Sequence, residues 1–82
     1  NTYVESETCQ VSIVCVLEFP DYVYIFEFKL NSTAEVALKQ IDEKGYAQPY
    51  AADKRKIYHV GISFSSETGT VNDFAYKPCE KS

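Results

Sequence analysis

Hydrophobic and β-branched residues cluster along this chain in short runs broken by turn residues, and the spacing predicts a run of strands with one clear helix. Thr2-Tyr3-Val4-Glu5 begins a short strand within residues 2–7. Residues 11–19, Val-Ser-Ile-Val-Cys-Val-Leu-Glu-Phe, form a strong strand that stops at Pro20-Asp21. Residues 22–30, Tyr-Val-Tyr-Ile-Phe-Glu-Phe-Lys-Leu, form the next. So short a turn predicts an antiparallel hairpin. Alternation puts Val23, Ile25, Glu27 and Lys29 on one face, and Tyr22, Tyr24, Phe26, Phe28 and Leu30 on the other. Both faces are largely apolar, which predicts helices covering the sheet on both sides.

A helix follows. Ser32-Thr33-Ala34-Glu35 fits a capping box with Ser32 as N-cap and Glu35 at N3. Ala34, Ala37, Leu38 and Ile41 recur at helical spacing and make one apolar stripe. Lys44 and Gly45 end it, with Gly45 suited to a left-handed cap. A short second helix fits within Tyr46–Ala52, a strand within 56–65, a turn at Glu67-Thr68-Gly69-Thr70 and a last strand over Val71–Tyr76. The order β-β-β-α-(α)-β-β is α+β. The strands flanking the helix should run parallel through a right-handed connection.

At 82 residues the chain reads as one domain over 1–82. A domain this small buries only about 60% of its unfolded surface, so it must pack efficiently or dimerise. Seven Tyr and five Phe supply core material and exclude a disordered chain. The net charge of −4 disfavours nucleic acid as a partner, because such binding draws on Lys and Arg. Lys54-Arg55-Lys56 reads as a solvated turn before a strand, with a local basic patch as the alternative. Cys9, Cys15 and Cys79 make no disulfide framework and no zinc spacing. Cys15 reads as a small buried hydrophobe, and reduced thiols in a cytoplasm are favoured over a Cys9–Cys79 bridge. No run approaches the about 20 apolar residues of a membrane span, so no membrane partner is expected.

Glu27 and Lys29 are the candidate chemistry. Two positions apart on a strand, they share a face in an otherwise apolar segment. Burying charge is costly unless it is paired or metal-bound. A Glu can hold Mg²⁺, and a neighbouring Lys can position water or stabilise phosphate charge. The alternative is a salt-bridged pair near a strand end.

Four stretches, in order, resemble the PD-(D/E)XK nuclease superfamily. They are Tyr22-Val-Tyr-Ile-Phe-Glu-Phe-Lys-Leu30, Ala37-Leu-Lys-Gln-Ile-Asp-Glu-Lys-Gly-Tyr-Ala47, Pro49-Tyr50-Ala51 and Val60-Gly-Ile-Ser-Phe-Ser65. More narrowly, they are similar to the nuclease-like domain found C-terminal to predicted bacterial AAA-type ATPase domains. The resemblance implies a restriction-endonuclease-like mixed sheet, β-β-β-α-β-β with a helix packed on it, truncated at the N-terminus. It implies Glu27 as metal ligand and catalytic residue, Lys29 as catalytic, and Gln40 near the site. An exposed helix polar residue is the alternative for Gln40. The family also places an Asp on the preceding strand, where this chain has Val14 in Val11-Ser12-Ile13-Val14.

Hairpin geometry shows whether another acid could serve. Pairing through the turn at 20–21 sets Glu27 opposite Val14, Lys29 opposite Ser12 and Ile25 opposite Val16. Asp21 lies six residues from Glu27, about 20 Å along the strand, beyond reach of a shared ion. Glu18 pairs near Val23 and is also too far. Glu5 or Glu7 could serve only from a strand beside the site. His59 reads as a structural or surface His with no second His for a metal pair, Asn72 and Asp73 as turn or edge residues, and the tyrosines as core rather than base-stacking platforms. The expectation is a degenerate nuclease-like domain, a fragment of a larger protein, with activity weak or lost. A lone Glu holds Mg²⁺ or Mn²⁺ weakly. The competing expectation is a non-catalytic interaction or dimerisation module, partnered by a second copy or by the ATPase domain of a longer chain.

Overall fold

β-branched and aromatic residues concentrate where the backbone is extended, and the strands follow them. In the computed structural model, which describes residues 2–7 and 10–79 and side chains from Ser12 to Cys79, five strands form one sheet. They are β1 (Thr2–Glu7), β2 (Gln10–Glu18), β3 (Tyr22–Leu30), β4 (Lys56–Phe64) and β5 (Val71–Pro78). One helix, α1 (Ala34–Lys44), lies between β3 and β4, followed by a single 3₁₀ turn at Gln48–Tyr50 in place of the expected second helix. Pro49 removes a backbone donor there, which keeps the segment short.

The sheet order is β1-β2-β3-β4-β5, with β3 and β4 parallel and the other pairs antiparallel. This mixed α+β architecture agrees with the expected order of elements. The β2–β3 register is also as expected: Val14 pairs with Glu27, Ser12 with Lys29 and Val16 with Ile25.

The helix start differs from expectation. Thr33 is the N-cap, and its Oγ1 accepts from the Val36 N–H at 3.2 Å. Ser32 is instead held by tertiary structure, its N–H donating to Ser63 Oγ at 2.9 Å. Asp73 Oδ2 accepts from the Ala34 N–H at 2.8 Å, so β5 supplies an acceptor for an N-terminal amide that a local cap would otherwise serve. Asn31 enters the left-handed region (φ 54°), which Asn tolerates better than most residues. Its side chain exchanges two hydrogen bonds with Ser66, tying the β3–α1 turn to the turn after β4. Gly45 ends the helix at φ 67° as expected.

The helix covers one face only, which corrects the expectation of cover on both sides. Ile41 packs with Val14, Val23, Ile25 and Ile57 in the core, and Ala34 and Ala37 are buried alongside. That face carries small residues: Gly61 and Ser63 of β4, against the start of the helix, and Ser12 of β2 are all buried. The opposite face carries the large aromatics, and no described element covers it. A pattern apolar on both faces could not say which side a single helix would take. The small residues decide it, because only they let the helix backbone approach.

Candidate metal centre and its surroundings

Glu27 and Lys29 project from β3 onto the helix-covered face, as their alternation with Val23 and Ile25 requires. Glu27 is fully buried and Lys29 is 5% exposed. Lys29 Nζ donates to Ser12 Oγ at 2.6 Å, so the amine is anchored across the strands to the hydroxyl that faces it in the register. Beside Glu27 in the parallel register lies Gly61, over which the first turn of α1 descends. A Cβ on Gly61 would lie 2.4 Å from the Ala34 carbonyl oxygen and 3.1 Å from the Ala37 Cβ. The positive end of the helix thus sits over the row that holds Glu27, an arrangement that favours a carboxylate.

The residues present do not fit a two-carboxylate metal site. Val14, which faces Glu27 across β2–β3, is 1% exposed and brings no ligand atom. Among the described residues no group of three or more His, Cys, Asp or Glu could hold a metal ion. Magnesium also keeps several of its waters when bound, whereas Glu27 is fully buried and out of contact with solvent. β1 pairs with β2, so Glu5 stands opposite Ser12 and Glu7 opposite Gln10, two strands away from Glu27. With the offset along the strand, Glu5 stands about 12 Å and Glu7 about 16 Å from Glu27 along the backbone. The residue in Glu27's row on β1 is Tyr3, paired with Val14.

Gln40 lies half-buried on α1, and no hydrogen bond among the described residues joins it to Glu27 or Lys29. Two groups to which sequence patterning gave no chemical role matter more. Asp73 sits in the row of Lys29 and Ser63, where it binds the helix start. His59 is 3% exposed and faces α1 together with Ile57, on the face opposite Tyr58 and Val60, so of the two expected roles it takes the structural one. The signal was its two-residue spacing from Ile57 and Gly61. Lys54-Arg55-Lys56 is not a free basic patch, because Arg55 is engaged by Asp53 Oδ2 at 2.6 Å and Glu18 Oε1 at 3.0 Å. Cys15 is half-buried on the aromatic face rather than in the core, and Cys9 lies outside the described residues.

His59 borders a cleft of about 220 Å³ lined in part by Asp42, Gln48, Tyr50 and Cys79. Its Nδ1 stands 3.3 Å from Asp42 Oδ1, and Lys77 Nζ holds Asp42 Oδ2 at 2.6 Å. Burial pushes the His59 pKa below its ordinary value, Asp42 offsets part of that, and Lys77 pushes it further down. Below pH about 6.5 the unfolded chain therefore binds a proton that folded His59 resists, and stability falls as the pH drops. Urea melts at pH 7.5 and 5.5 should differ in midpoint for the wild type, and His59→Gln should shrink that difference. An equal pH dependence in His59→Gln would assign it to other groups.

The sequence model of the PD-(D/E)XK nuclease superfamily matches residues 2–74. The chain is also 36% identical over 73 residues to the uncharacterized protein in the vnfD 5′ region of Azotobacter chroococcum mcd 1. The match covers 87% of this chain but 14% of that protein's length. No solved structure matches.

Proposed function

The chain belongs to the PD-(D/E)XK nuclease superfamily, and on that premise we propose that it is a degenerate member whose metal site has been lost and which does not cleave phosphodiesters by itself. The observation that carries this reading is the pairing of a fully buried Glu27 with Val14. Hydrolysis by a metal-activated water needs an ion, its water shell and room for phosphate. A single enclosed carboxylate offers none of the three. Lys29, engaged by Ser12, then serves the packing of β3 against β2 rather than a phosphate.

The test is a cleavage assay on plasmid and single-stranded DNA with Mg²⁺ and Mn²⁺, run on wild type, Glu27→Ala and Val14→Asp. The expected result is no cleavage by wild type above the Glu27→Ala background. Metal-dependent cleavage that Glu27→Ala abolishes would overturn the reading. Activity gained only in Val14→Asp would show that the lost carboxylate alone separates this site from a working one.

A second reading, a non-catalytic interaction module, is favoured by the uncovered aromatic face. The resemblance of residues 22–65 to domains attached to AAA-type ATPases supports a place in a longer, ATPase-bearing protein. The relative that the chain matches is itself longer, the match spanning 14% of its length. Co-purification of an AAA-type ATPase portion with this chain would support it, and absence of any such association would count against it.

A further inference from the structure

We infer that Cys79 is a site of reversible thiol modification, where it exchanges with anionic low-molecular-weight disulfides while His59 takes the thiol proton. The site lies apart from Glu27 and Lys29 and does not depend on the state of the metal centre.

Position in the sheet brings the two residues together. The Cys79 N–H donates to the Ile57 carbonyl at 2.7 Å, which continues the β4–β5 pairing one step beyond Tyr58 and Pro78. Cys79 thus stands opposite Ile57 on the helix-covered face, diagonal to His59, whose own partner is Lys77. Diagonal neighbours lie about 7–8 Å apart at the backbone, within reach of an aromatic side chain. Both residues line the cleft of about 220 Å³ and a second of about 450 Å³, whose other lining residues are Asp42, Lys77 and Pro78. Cys79 is half-buried, so a small reagent can reach it from the cleft.

His59 is the feature that points to chemistry. It is 3% exposed, and its Nε2 has no hydrogen-bond partner among the described residues. A buried polar atom left in that state is costly. A thiol is a donor that can meet it. Asp42 Oδ1 stands 3.3 Å from Nδ1, in an ionic contact rather than an aligned hydrogen bond. That carboxylate favours the ring proton on Nδ1 and steadies the imidazolium once it forms, so Nε2 is the acceptor. Burial keeps the ring neutral at neutral pH, as a proton acceptor must be. Thiol, imidazole and orienting carboxylate are the parts of an activated nucleophile.

The exchange is balanced without a further oxidant. The thiol proton passes to Nε2, and the sulfur attacks one sulfur of the disulfide. A new S–S bond forms as the old one breaks, and the departing thiolate takes the proton from His59. Cys79 is oxidised to a mixed disulfide, and the other half of the reagent is reduced to a thiol. On its other side Cys79 borders Lys54 and Lys56, both exposed, while Arg55 between them is engaged by Asp53 and Glu18. The positive excess at this mouth favours a disulfide that carries carboxylates.

The test follows each cysteine separately. The reduced 82-residue chain is exposed at pH 7.5 to oxidised glutathione, an anionic disulfide, and quenched with acid. Peptide mass mapping then gives the rate of mixed-disulfide formation at each site. A cysteine in water is about one-tenth thiolate at that pH, which leaves about tenfold to gain from a base. Native Cys79 should therefore react about tenfold faster than Cys79 in the urea-unfolded chain. Cys15, half-buried on the aromatic face, should react no faster folded than unfolded. His59→Gln should remove most of the acceleration at Cys79, with far-UV circular dichroism verifying the fold. Native Cys79 reacting no faster than unfolded Cys79 overturns the inference, and that comparison needs no variant. Acceleration that persists in folded His59→Gln overturns it as well. Cystamine, a cationic disulfide, should be accelerated less, and equal acceleration would overturn the assignment to anionic reagents. None of these rates depends on DNA cleavage, so this inference and the lost-site reading fail separately.

Discussion

Gly61→Ala is expected to destabilise this domain by about 3 kcal/mol, the upper end of the cost of overpacking a closed core. The added methyl would stand 2.4 Å from the Ala34 carbonyl oxygen. That atom belongs to the helix backbone and cannot swing aside as a flexible side chain would. Relief requires α1 to lift or slide. Lifting weakens the contacts of Ala37 and Ile41 with the sheet and the Asp73 bond to the helix start. For a domain of this size the loss corresponds to a fall in Tm on the order of 10–20 °C. Thermal melts of wild type and Gly61→Ala measure it directly. A change within about 0.5 kcal/mol, the usual range for surface positions, would mean that α1 does not rest on Gly61. A methyl added at Gly45 or Gly69 would meet nothing within 4 Å, so the role of those two glycines is their positive φ alone.

Lys29→Met should cost about 3 kcal/mol, and adding Glu27→Leu should recover most of that loss. The two charges share one face of β3, about 7 Å apart at their Cβ atoms. At an effective dielectric of about 20 that separation gives an attraction of about 2 kcal/mol, weaker than a contact pair but made under cover of the helix. Removing the lysine alone leaves the Glu27 charge enclosed without its neighbouring cation and leaves Ser12 without its donor. Removing both exchanges two buried charges for apolar groups of similar size, which is often neutral or stabilising. The double-mutant cycle, read from urea midpoints, should show a coupling of about 2 kcal/mol. Additive effects would mean that Glu27 is balanced by other groups. Recovery of stability in the apolar pair would fit residues kept from a working ancestor, since active-site charges generally oppose stability.

Much of this architecture is legible in the chain. The alternation in residues 22–30 places Glu27 and Lys29 together, and the short turn at Pro20-Asp21 sets Glu27 against Val14 by spacing alone. The helix end and the succession of elements along the chain follow from equally local signals, Gly45 and the turn residues between apolar runs. The helix starts one residue later than its capping box suggests because the cap is partly non-local: Ser63 and Asp73 take amides that a capping box would have served internally. Whether His59 would be structural or at the surface was left open, because periodicity reports which residues share a face and is silent on which face is covered.

The sequence by itself determined the elements, the hairpin register and the absence of a second carboxylate opposite Glu27, because each depends on spacing along one or two neighbouring strands. Only the tertiary structure decided that α1 lies on the small-residue face at Gly61, over buried Glu27 and the Lys29–Ser12 pair, and that among the described residues no element covers the aromatic face. Those outcomes depend on how closely two backbones can approach, a property of pairs of elements distant in the chain.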